Sequence, residues 1–236
     1  MTENIKRIRK LSIFIFILPI IAVNLCLIIV VNFHEILPPA GGIGFTIPYI
    51  DGGTSISRTA RIFPTYLIFK PVMIITSILL IIYWKNNAEL MKKIEPNFKY
   101  NKYFLFFGVV SAIFLILHSL FLGIKFDNSL YKFFRRFIIL SFVIFELCAQ
   151  GFLVANLQKV KNKISNIISR KVLVIKTILI IILTIVALAS SPILVSSGHV
   201  EFKHALEWNY FVAIISFYIF SYLLWKKTPV HTPEGV

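Results

Sequence analysis

Charge is what this sequence has least of. Only 15% of its 236 residues are Asp, Glu, Lys or Arg, and the acidic ones are scarcest, 10 against 25 basic. Soluble domains carry roughly a quarter charged residues, so the composition excludes an ordinary aqueous fold. Cysteine is nearly missing: Cys26 and Cys148 both sit in apolar blocks, which excludes a disulfide framework and leaves the redox compartment unmarked. No asparagine opens an N-x-Ser/Thr sequon, so glycosylation does not orient the chain. There is no HExxH, no GxSxG, no phosphate-cradling glycine loop and no internal repeat. Of the five histidines, only His199 and His204 lie close in sequence, and neither a metal nor another cofactor is assigned.

What the chain has instead is apolar length. Hydrophobic residues make up 58% and the mean hydropathy is +0.84. They fall in blocks of about twenty, which cross a hydrocarbon core about 30 Å thick at 1.5 Å per helical residue. The expected fold is all-α: one integral membrane domain over residues 1–236, a polytopic bundle of about six transmembrane helices. The spans read as 11–33, 64–84, 103–124, 137–157, 172–193 and 205–225. The first follows Lys6, Arg7, Arg9 and Lys10 as a signal peptide would, but it is too long and has no small-residue cleavage site, so it reads as a retained anchor.

The formal charge of +15 does not point to nucleic acid, because the basic residues sit in short clusters between apolar blocks. They read as topology signals. Sixteen Lys and Arg fall on the side of the termini, including Lys85, Lys99, Lys159, Lys161, Lys163, Arg170 and Lys171; seven fall on the other, including Arg58, Arg61, Lys125, Arg135 and Arg136. Both termini are therefore expected in the cytosol, with the long, Gly- and Pro-rich first loop, residues 34–63, facing the lumen or the outside. The tail after Lys227, with His231, reads as short and disordered.

Ionisable residues inside spans are costly, so each is a candidate site. His118 stands late in the third span, about 9 Å from its lumenal end by helix rise. Glu146 is near the middle of the fourth, with Gln150 at i+4 on the same face. Glu207 opens the sixth beside Trp208. Together with Asp51, Arg58, Arg61, His199, Glu201 and His204 from lumenal loops, they form an expected polar set under one mouth. Taken singly, His118 and Gln150 read first as helix-to-helix hydrogen-bonding groups, Lys70 and Lys176 as snorkelling to headgroups, and Trp84, Trp208 and Trp225 as interfacial belt residues.

In the first loop, Ile47-Pro48-Tyr49-Ile50-Asp51-Gly52-Gly53-Thr54 followed by Arg61-Ile62-Phe63 resembles the signature of the FRAG/DRAM/SFK family, which carries Pro-Tyr-Ile-Ser-x-x-Gly-Thr and then an Ile-Phe pair. Asp51 stands at the family's Ser, and Ile56-Ser57-Arg58-Thr59 replaces its Pro-Pro-Glu. Glu207-Trp208 is similar to the pair that opens the family's last helix. The resemblance implies six spans, cytosolic termini and work on lipids of the lumenal or outer leaflet, such as GPI-anchor lipid remodelling, in the Golgi, ER or another endomembrane, or in the plasma membrane. It implies membrane lipids as partners and Arg58 or Arg61 on headgroup phosphate. Glu146, His118 and Glu207 would then be catalytic, and Asp51, Gln150, Trp208, His199 and His204 would line the substrate. Whether the chain is itself the enzyme stays open. The alternatives are a non-enzymatic regulator or scaffold of lipid homeostasis or autophagy, working through the basic cytosolic loops, and third a small-solute transporter.

Overall fold

A computed structural model of the chain describes residues 1–38, 42–96, 101–124, 129–196 and 198–226. The tail with Lys227 and His231, and also Lys99 and Lys125, lie outside the described residues. Among the described residues seven α-helices form: α1 (Thr2–Asn32), the short α2 (Ile56–Ala60), α3 (Tyr66–Ile94), α4 (Asn101–Phe121), α5 (Ser129–Val160), α6 (Arg170–Val195) and α7 (Val200–Leu224). All but α2 are long and apolar enough to cross a membrane, so the fold is an all-α polytopic bundle with six membrane-length helices.

In hydrocarbon every backbone polar group must be satisfied within the protein, which selects helices. Polar side chains inside the helices obey the same constraint by bonding back one turn. Ser12 Oγ donates to the Ile8 carbonyl at 2.7 Å, Asn24 Nδ2 to Ile20 at 2.9 Å and Thr76 Oγ1 to Val72 at 2.8 Å. Consecutive long helices are neighbours, and α7 returns to α1, so the six close a ring. Its interior is aromatic: Tyr83, Trp84, Phe104, Phe217 and Tyr218 are all buried.

Several helices outrun their hydropathic spans. α1 begins at Thr2, α3 continues to Ile94 and α5 begins at Ser129. The added turns of α1 and α3 pack on each other: Ile5 and Ile8 are buried with Leu90 and Met91, and Asn4 Nδ2 donates to Glu89 at 3.2 Å. At this terminal end Lys163 pairs with Glu95, and the Ser169 amide donates to the Leu224 carbonyl at 2.8 Å. At the opposite end the first loop meets the α4–α5 connection near Gly123 and the start of α7 near Glu201.

Four expectations about single residues are corrected. Lys176 does not snorkel: it is fully enclosed, and its Nζ donates to Ser221 Oγ at 2.6 Å, because α6 turns this side chain toward α7. Trp84 and Trp208 are likewise fully buried, and Trp225 is 3% exposed, so none is an interfacial belt residue. Trp84 lies inside because Gly108 has no Cβ; one built there would stand 2.4 Å from the indole Cγ. Trp225 is held by pairing with Ile168 across the α5–α6 connection.

Candidate functional site

The polar residues singled out from the sequence separate into three groups. The first clasps the loop to α7. Asp51 spends its carboxylate within the loop, accepting from Thr46 Oγ1 at 2.6 Å and from the amides of Ile47 at 2.8 Å and Gly53 at 2.9 Å. These donors, Thr46 first, hold its carboxyl below the usual carboxylate range. An Asp so engaged shapes the loop, with Oδ1 accepting two bonds and Oδ2 one.

The loop so shaped then docks on the first turns of α7. His204 Nδ1 lies 2.9 Å from the Gly52 carbonyl, which makes Nδ1 the protonated nitrogen. Trp208 Nε1 donates to the Thr54 carbonyl and Asn209 Nδ2 to the Tyr49 carbonyl, both at 2.8 Å. Glu207 accepts from the backbone amides of Ile56 and Ser57. Tyr49 packs edge-on against the Trp208 ring, with centroids 5.0 Å apart, and burial raises its hydroxyl above the ordinary tyrosine value. His204, Glu207 and Trp208 therefore bind this chain's own backbone. His199 sits just before α7 with φ 60° and is exposed. Among the described residues no three of His, Cys, Asp and Glu gather as a metal-holding group.

The second group is cationic. Arg61, at the end of α2, has Arg135 of α5 and Arg58 as charged neighbours; partial burial first, then these two like charges, hold its guanidinium below its usual value. Arg135 also acts on His118 of α4. Among the described residues none of the three arginines has a carboxylate within 4 Å. Loop residues at the same end are apolar and bare: Phe45 is 85% exposed, Ile50 80% and Phe63 52%. Arg135 was not singled out from the sequence, although its place in an Arg-Arg pair at the start of a span was the available signal.

The third group is sealed inside the ring. Glu146 on α5 meets Ser111 of α4 at 2.7 Å, Gln150 Nε2 at 3.0 Å and the Tyr218 hydroxyl of α7. Gln150 also donates to the Ile214 carbonyl at 3.1 Å. Nearby, Ser221 Oγ accepts from the Tyr83 hydroxyl at 2.9 Å and from Lys176. His118 stands two turns beyond Ser111, about 10 Å by helix rise, and Glu207 is as far beyond Ile214. The structure thus does not bring Glu146, His118 and Glu207 into one reacting centre. Compared with models of known families, with curated proteins and with solved structures, the chain has no match.

Proposed function

We propose that this membrane protein handles lipids whose headgroups carry phosphate, binding them at the first-loop end in remodelling of glycolipids or phospholipids, of the GPI-anchor type that the loop's resemblance to the FRAG/DRAM/SFK family implies. The observation that carries the reading is the cluster of Arg58, Arg61 and Arg135, which has no acidic partner among the described residues. Guanidinium groups match phosphate oxygens in paired hydrogen bonds. An anion would relieve the repulsion that Arg58 and Arg135 exert on Arg61, and the bare Phe45, Ile50 and Phe63 of the same loop suit the level where headgroups meet acyl chains. The excess of Lys and Arg at the other end supports a lumenal or outer position for this one, with the Golgi or ER as the membrane. The chain binds and presents lipid there; a catalytic trio of Glu146, His118 and Glu207 is not part of the reading.

The test is lipid mass spectrometry of cells with and without the gene, scoring acyl composition of GPI-type glycolipids and phospholipids. Loss of the gene shifts acyl composition, the wild-type gene restores it, and R58A/R61A/R135A, present at normal level in the membrane, does not. An unchanged lipidome, or full rescue by the triple variant, overturns the reading. Failure of rescue only when Lys159, Lys161, Lys163, Arg170 and Lys171 become Gln would favour a scaffold acting through its basic loops.

A further inference from the structure

Two of the three arginines at the first-loop end ride on α2, a helix of only five residues. Its buried residues Ile56, Thr59 and Ala60 repeat at helical spacing, which turns Arg58 and, one turn on, Arg61 to the opposite, exposed side. Ile56 and Ala60 lie in one buried cluster with Val23 of α1, Phe69 of α3 and Trp208 of α7. So short a helix is not stable by itself. The direction of both guanidinium groups therefore depends on how its two ends are held.

The C-terminal end is fastened locally. Thr65 Oγ1 lies 2.5 Å from the Thr59 carbonyl oxygen and 2.7 Å from that of Ile62. Gly123, in the α4–α5 connection, lets the Arg61 backbone come close, since a Cβ there would stand 3.4 Å from the Arg61 carbonyl oxygen. That approach leaves Arg61 with Arg135 of α5 as a charged neighbour. The N-terminal end is held by α7. The first amides of a helix have no acceptor within the helix itself. Here Ser55 Oγ accepts from the Arg58 amide at 3.1 Å, and the Glu207 side chain accepts from those of Ile56 and Ser57. The next residue of α7, Trp208, donates to the Thr54 carbonyl at 2.8 Å. A carboxylate has two acceptor oxygens for these two amides, where an amide side chain would have one. Glu207 has no cation within 4 Å among the described residues, so it serves the backbone of α2 and not an ion pair with the arginines.

On the strength of the headgroup-binding reading above, we propose that Glu207 is the positioning residue of the phosphate site. By holding α2 on α7 it sets Arg58 and Arg61 beside Arg135, and binding of a phosphate headgroup and docking of α2 become one linked equilibrium. Linkage is reciprocal: the factor by which docking of α2 raises phosphate affinity is the factor by which bound phosphate strengthens docking. Charge alone argues the opposite way, because an acidic group near three cations weakens their hold on an anion. Positioning and charge therefore separate by sign.

Titration of the full chain in neutral detergent with dioctanoyl phosphatidic acid, and in a parallel arm with inorganic phosphate, tests this. The wild type is expected to bind the lipid and R58A/R61A/R135A to lose it. A wild type that binds neither probe, or a triple variant that binds as the wild type does, overturns the headgroup reading and this role with it. Inorganic phosphate held as tightly as the lipid overturns the lipid source only, and the same Glu207 variants then decide the role with phosphate as the probe. The Kd should rise about tenfold in E207L, equivalent to ~1.4 kcal/mol, and about threefold in E207Q, which keeps one acceptor. E207Q binding as the wild type does, or more tightly, overturns the role of Glu207 while the headgroup reading stands. Should E207L fail to fold, the wild type decides by hydrogen–deuterium exchange: saturating lipid should slow exchange in peptides covering 54–62 about tenfold by the same linkage and leave the middle of α5 unchanged. Unaltered exchange at 54–62 overturns the role.

Discussion

Replacing Gly52 by alanine should release the first loop from α7. Gly52 has φ +63°, and a Cβ there would stand 1.8 Å from the Glu201 carbonyl oxygen, a backbone atom that no rotamer change can move. The left-handed conformation costs a residue with a side chain about 1–2 kcal/mol, and the overlap adds to it, so the loop does best by leaving. What it gives up is the clasp: His204 to Gly52, Trp208 to Thr54 and Asn209 to Tyr49. At about 0.5–1.5 kcal/mol for each bond, the loss is roughly 2–4 kcal/mol. Each 1.4 kcal/mol is tenfold in population, so loop opening should rise roughly a hundredfold. Hydrogen–deuterium exchange by mass spectrometry reads this directly: peptides covering 47–57 should lose protection while peptides from the middle of α5 keep theirs. G44A is the control within the same loop, since a Cβ at Gly44 meets nothing within 4 Å. Equal protection of 47–57 in G52A and wild type would refute the clasp.

Two further expectations concern packing and pH. G108A puts a methyl group 2.4 Å from the Trp84 indole, in a fully buried position, and should cost about 1–3 kcal/mol as overpacking; thermal unfolding in detergent should show a lower midpoint, and an unchanged one would mean that Trp84 does not rest on α4. Asp51 has its folded-state value held low, so its contribution to loop structure is fully present above the ordinary carboxylate range and is lost as pH falls through the depressed folded value. The amide resonances of Ile47 and Gly53, which donate to it, should titrate together in that acid window in the wild type and be flat in D51N.

The six crossings were legible because hydropathy over about twenty residues is a property of the segment itself. Helix ends were not: Thr2 to Lys10 and Lys85 to Ile94 are polar, yet they stay helical because Ile5 and Ile8 find Leu90 and Met91, and that pairing needs the order of helices in the ring. Side chains divide along the same line. Gln150 at i+4 from Glu146 implied a shared face, and the two are bonded at 3.0 Å. Lys176 lies six residues into α6, where its own reach suggests a headgroup; only Ser221 of another helix explains why it turns inward. That Asp51, His204 and Trp208 bond to the loop of this same chain was not legible, because the loop groups they bind carry no signature in sequence.

The two polar assemblies that result differ in what can reach them. Arg58 and Arg61 are exposed at one end of the bundle, where an anion can approach, whereas Glu146, Gln150 and Lys176 are enclosed by the ring and buried. Arg135 and Glu146 stand eleven residues apart on α5, about 16 Å by helix rise, a separation at which perturbations generally add independently. The arginine variant should therefore leave the interior hydrogen bonds of Glu146 in place, and Y218F should leave lipid binding in place. Coupling between them would require α7, which carries both the clasp at His204, Trp208 and Asn209 and the interior partners Tyr218 and Ser221, to move as one body.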